Sequence, residues 1–128
     1  DNGKILMSNF YAKWNKSVLI KSDDIEFAND KNGKKLIGEI LFDFNDVEKF
    51  FRYFQIKRNY RNVFGEIKAD FVYDFTQDKL TFNNLRIDNK SSQVLEKFLE
   101  DYDKKNTNLF NKVTFRNFVK DFFQTYAG

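Results

Sequence analysis

The alternation across residues 65–75 constrains this chain more than any other feature. Gly65, Ile67, Ala69, Phe71, Tyr73 and Phe75 occupy every second position, with Glu66, Lys68, Asp70 and Asp74 between them. Side chains in an extended strand point to opposite faces in turn, so this segment predicts a strand with one apolar and one charged face. Only Phe64 and Val72 break the polar side. Leu36, Gly38, Ile40, Phe42 and Phe44 repeat the pattern earlier in the chain. Two strands of this kind need a common covering layer, because each carries an aromatic face that water disfavours.

The punctuation between the strands is made without proline, of which there is none. Asn32-Gly33 supplies a hairpin turn that tolerates positive φ. Thr76-Gln77-Asp78-Lys79 predicts a second turn, and residues 80–88 the return strand. In that strand the apolar register shifts from Leu80 and Phe82 to Leu85 and Ile87, which predicts a bulge near Asn83–Asn84. Upstream, residues 5–14 read as one strand. Val18–Ile20 and Ile25–Phe27 flank Ser22-Asp23-Asp24, which predicts a strand that is interrupted or bulged there.

Between and after the strands the period changes to that of a helix. Asn45 is the expected N-cap of a short helix, with Glu48 at the reciprocal capping position and Val47, Phe50, Phe51 and Phe54 on one stripe. Ser91 or Ser92 can cap a second helix carrying Val94, Leu95, Phe98, Leu99 and Tyr102. After a Lys- and Asn-rich break at 104–108, a last helix carries Phe115, Phe118, Val119, Phe122, Phe123 and Tyr126 at 3-1-3-1-3 spacing. The expected fold is α+β: a twisted antiparallel β-sheet with one apolar face, a short helix between strands, and two C-terminal helices packed on or beside the sheet. Residues 1–128 are read as a single domain, and because the chain starts at Asp1 rather than Met it is read as a processed or excised piece of a longer one.

Composition removes many chemistries. The chain has no histidine and no cysteine, so zinc fingers, disulfides, Cys–His nucleophiles and Ser–His triads have no residues to form them. Asp23–Asp24 falls in a strand break, and Asp101 with Asp103 on a polar helix end. Neither pair has apolar neighbours that would raise a carboxyl pKa for acid–base work. No Asp-x-Asp-x-Asp-Gly calcium loop occurs, and the five glycines never reach phosphate-loop spacing. No metal, cofactor or catalytic residue is expected, and no stretch has the roughly 20 apolar residues that span a bilayer.

Two binding readings remain. The net charge of +3 is spread along the chain, and its densest cluster is Lys57, Arg58 and Arg61 beside Tyr60. With Arg52 and Tyr53, this loop could combine phosphate contacts with base stacking. Acids beside the bases on the strand faces weigh against nucleic acid as a partner. The aromatic faces could simply fill a core, or part of the sheet face could form a groove for an acyl chain. Area burial rewards both equally, at about 25 cal/mol per Å².

The block Gly38-Glu39-Ile40-Leu41-Phe42-Asp43-Phe44-Asn45-Asp46-Val47-Glu48-Lys49-Phe50-Phe51-Arg52-Tyr53-Phe54-Gln55 resembles the C-terminal region of AsmA-like proteins from AT-rich alphaproteobacteria. The likeness continues through Lys57-Arg58-Asn59-Tyr60-Arg61, the long alternating strand, Leu80 to Lys90 and the last helix, covering about residues 36–128. The resemblance implies a non-catalytic envelope protein of the periplasm, anchored to the inner membrane through an N-terminal segment. Its role would be lipid transport or outer-membrane assembly, with phospholipid and the envelope membrane as partners. The apolar face, with Ile40, Phe42, Phe44, Ile67, Phe71 and Phe82, would then shield acyl chains. Phe115, Phe118, Phe122 and Phe123 would face a membrane or a partner. The alternatives are a nucleic-acid module using residues 52–61, through Lys57, Arg58 and Arg61, and a free-standing protein-interaction domain.

Overall fold

The computed structural model describes residues 5–7, 10–105, 109 and 111–127. It is an α+β fold in which seven antiparallel strands form one sheet and three helices gather at one end of its apolar face. The strands are β1 (Ile5–Met7), β2 (Phe10–Trp14), β3 (Val18–Asp30), β4 (Gly33–Phe44), β5 (Glu66–Asp74), β6 (Lys79–Ile87) and β7 (Lys90–Ser91). The helices are α1 (Val47–Tyr53), α2 (Gln93–Lys104) and α3 (Lys112–Ala127). From β3 onward the sheet is a meander, β3-β4-β5-β6-β7, while β1 and β2 both pair with the outer edge of β3.

The expected single strand over residues 5–14 is thus two described strands. They pair with different parts of β3: Ile5–Met7 with Ile25–Phe27, and Phe10–Trp14 with Val18–Ser22. The change of partner falls at the bulge predicted in β3, where the register slips between Asp23 and Glu26 and Asp24 takes a φ of 55°. The second expected bulge is also present. Asn84 has a φ of 51°, and the β5–β6 register shifts between the pairs of Lys68 and Asp70. Gly33 opens β4 at a φ of 114°, a conformation open to glycine at no steric cost.

Register brings the two alternating strands into phase. Phe42 pairs with Ile67, Ile40 with Ala69 and Gly38 with Phe71, so their apolar sides share one face. The opposite face carries Glu39, Asp70 and Arg86, and the Arg86 guanidinium lies 2.9 Å from the Glu39 carboxylate.

The cap of α1 differs from the expectation by one residue. Asp46, not Asn45, caps it, accepting from the Lys49 N–H at 3.0 Å. Glu48 then falls one position short of the reciprocal capping site, which Lys49 occupies, and instead pairs with Arg61 at 3.3 Å. Ser92 caps α2 by accepting from the Leu95 N–H, and the Glu96 carboxylate accepts from the Leu85 N–H at 2.6 Å, tying α2 to the bulged part of β6. In α3 the aromatic stripe turns inward: Phe118, Val119, Phe122 and Phe123 are all buried. At the centre of the packing Phe51 and Leu95 are fully inaccessible, at 0% exposure.

Candidate functional site

Between the helices and the sheet lies an apolar cavity of about 210 Å³, open on one side to the surface. Its floor is the apolar face at the covered end of the sheet: Val18 and Ile20 from β3, Phe42 and Phe44 from β4, Ile67 and Ala69 from β5. Phe82 and Leu85 of β6 and Trp14 of β2 close the floor at either side. Phe50 and Phe54 come from the α1 side and Leu99 from α2. Helix α3 supplies the roof, with Phe118, Val119, Phe122 and Phe123 along its inner face and Phe115 near its start.

The space follows from residue size. On β5 a small side chain, Ala69, stands in the aromatic row between Ile67 and Phe71, and on α3 Val119 stands between larger rings. The rings around them hold one another edge-on rather than collapsing inward. Phe123 meets Phe51 at 5.2 Å and 90°, and Phe44 meets Phe64 at 4.9 Å and 72°. Such T-shaped contacts are favourable in themselves and fix the walls.

Burial locates the mouth. Val18, Phe44, Ile67, Ala69 and Leu85 are buried, whereas Trp14, Ile20, Phe42 and Phe82 are half-buried and Phe115 is 42% exposed. Ile20 and Phe42 are paired neighbours, Phe82 pairs with Phe71 farther along the face, and Trp14 and Phe115 both meet Phe54 at the α1 end. Beyond Ile20 and Phe42 the same apolar face continues through Ile40 and Phe71 to Phe27, Leu36, Tyr73 and Phe75. Phe71 lies close over Gly38, where a Cβ would come within 3.1 Å of its ring. Phe27 and Tyr73 both meet Phe75 edge-on, at 5.9 Å and 4.7 Å. Among the described residues the last turn of α2 reaches the β6 edge of this end, where Lys79 bonds Asp103 beside Leu80, while Phe75 is 45% exposed.

Of the six sheet residues singled out in the sequence, Phe42, Phe44, Ile67 and Phe82 line the cavity. Ile40 packs against the same core, and Phe71 lies farther along the same face. The helical residues are corrected. Phe118, Phe122 and Phe123 do not face outward to a membrane or partner but roof the cavity, because α3 lays its whole stripe on the sheet and on α2. Phe115 alone of the four is exposed, at the rim. In the basic loop, Lys57 and Arg58 are exposed around a single 3₁₀ turn. Arg61 is folded back, donating to the Ile56 carbonyl at 2.9 Å and pairing with Glu48.

The sequence did not single out Trp14, Phe54, Ala69 or Arg116 as site residues. Ala69 had a legible signal, as the small residue in a row of large ones. Arg116, directly after Phe115, lays its guanidinium 5.6 Å from the Tyr53 ring centre and 5.9 Å from that of Phe54.

The lining holds no carboxylate, amine, hydroxyl or thiol, so its chemistry is that of hydrocarbon contact. Among the described residues no group of three or more acidic side chains could hold a metal, and no helix is long and apolar enough to cross a membrane. At the far side of α2, Tyr102 donates to Asp121 of α3 at 2.6 Å. Burial, together with that bond and the nearby carboxylate charge, pushes its hydroxyl up to about 12. This bond pins the roof helix to its neighbour. No protein-family model, curated protein or solved structure matches the chain.

Proposed function

We propose that this domain is a non-catalytic lipid-binding module that receives an acyl chain between its sheet and its helices. The observation that carries this reading is the apolar cavity of about 210 Å³, whose open side leads onto a bare apolar sheet face. A dry, apolar cavity of about 150 Å³ already binds a benzene-sized guest. The hydrocarbon chain runs through the cavity, and its terminal carbons continue along the face past Phe82 and Ile40 towards Phe71. The resemblance over residues 36–128 supports a wider setting for this chemistry, the terminal part of an AsmA-like envelope protein concerned with lipid transport or outer-membrane assembly.

The test fills the cavity from within. Titration with a fluorescent C16 fatty acid gives saturable binding to the unaltered chain. Ala69→Leu places a larger side chain in the floor, weakens that binding by about tenfold or more, and leaves the fold as stable or up to about 2 kcal/mol more stable. Absence of saturable binding to the unaltered chain, or equal binding by a folded Ala69→Leu variant, overturns the reading.

A further inference from the structure

We propose that the amphiphile held in this cavity is anionic, and that Arg116 of α3 binds its head group. The inference rests on the acyl-chain reading and adds a head-group chemistry to it. Three observations carry it.

The first is position. Arg116 follows Phe115, the exposed rim residue, and its guanidinium lies against Tyr53 and the cavity-wall residue Phe54. Trp14, half-buried at the same corner, stacks on Phe54 at 5.7 Å and meets Tyr53 edge-on at 4.8 Å. An apolar passage therefore ends beside a cation held on aromatic faces, the arrangement that suits a molecule apolar at one end and charged at the other.

The second is that no carboxylate among the described residues pairs with this cation. Arg61 is paired with Glu48, Lys79 with Asp103 and Arg86 with Glu39. Arg116 has only its two ring contacts among the described residues. Lys79 makes the contrast direct. It flanks the opposite side of the cavity, beside Phe82, Leu99 and Phe118, and both the carboxylate and the carbonyl of Asp103 lie 2.9 Å from its ammonium. One flank is neutralised, and the other keeps a positive charge.

The third is the chemistry of the group. A guanidinium presents a planar fork of donors that matches a carboxylate or a phosphate in two parallel hydrogen bonds, and ring stacking orients that fork beforehand. Both a fatty-acid carboxylate and the phosphate of a lysophospholipid offer the required oxygens.

The experiment compares three C16 ligands below their aggregation concentrations: hexadecanoate, a palmitoyl lysophosphatidate and hexadecanol. Each is titrated against the full chain and its Arg116→Met and Arg116→Lys variants. The unaltered chain binds at least one of the two anions about tenfold more tightly than the alcohol. Arg116→Met brings that anion down to the alcohol's level while leaving hexadecanol binding unchanged, which also shows that the cavity is folded. Arg116→Lys retains part of the preference. Whichever anion shows the larger loss in Arg116→Met identifies the head group as carboxylate or phosphate. Equal affinity for all three ligands in the unaltered chain, or an anion preference that survives in Arg116→Met, overturns the assignment of Arg116 and leaves the acyl cavity standing. Failure of all three to bind, hexadecanol included, overturns the cavity reading together with it.

Discussion

The two ends of one sheet face meet different fates. Near α1, the paired Val18 and Phe44 and the paired Ile67 and Ile87 are buried beneath helices whose rings interlock with them. At the other end, Phe27, Leu36, Tyr73 and Phe75 continue the same alternation on the same strands, yet they stay half-buried or exposed. The amino-acid pattern is alike at both ends, and the covering elements differ. Strand periodicity fixes which face is apolar, while the reach of the helices decides how much of it becomes core. The cavity lies where these regimes meet, under α3 and short of the bare rows.

The contrast has measurable edges. Phe51→Ala removes a fully buried ring that touches Phe50, Phe64 and Phe123. It is expected to cost about 3–5 kcal/mol in chemical denaturation, the range for buried aromatic truncations. A loss under about 1 kcal/mol would mean that the covered end is no tighter than the bare one.

A smaller effect comes from the bond between α2 and α3. The Tyr102 hydroxyl has its pKa raised from 10.0 to about 12 in the folded chain. The folded state therefore holds this proton more firmly than the unfolded state. The stabilisation is complete below about pH 10 and is lost as the pH rises through about 12. Thermal unfolding midpoints should fall across that window, and Tyr102→Phe should flatten the fall. An unchanged slope in Tyr102→Phe would show that this bond does not hold the roof.

The smallest effect belongs to the bare end, where Phe75→Ser is expected to shift stability by no more than about 0.5–1 kcal/mol. A loss equal to that of Phe51→Ala would show that the bare face is a second core, and the comparison would fail.

Much of this was legible in the residues. The two alternating strands, both bulges, the Asn32-Gly33 turn and the helical stripes could be read directly, because each is a local pattern with a local physical cause. The cap of α1 was displaced by one residue, since Asn45 and Asp46 are both competent caps and only the end of β4 at Phe44 decides between them. The direction faced by α3 was not legible. A stripe of Phe118, Phe122 and Phe123 has the same spacing whether it meets a membrane, a partner or its own sheet. Arg116 was hidden for a related reason: its significance lies in its distance from Tyr53 and Phe54, far away in sequence. Size contrast was the overlooked signal, for Ala69 among aromatics marks a place where a floor can be deep.

The meander of the sheet also bears on how the chain assembles. From β3 to β7 each strand pairs with the next in sequence; β3–β4, β5–β6 and β6–β7 close through short turns, while β4–β5 closes across α1 and residues 45–65. The roof is joined differently. Among the described residues, α3 meets the rest of the molecule through rings and the one hydrogen bond to Tyr102, with no backbone ladder to the sheet. A roof held by side chains would leave the strand ladder paired if it lifted, but Phe118, Val119, Phe122 and Phe123 are buried core, so lifting it opens the core itself. The order in which the chain folds and the route by which the cavity opens are then one sequence of events, run in opposite directions.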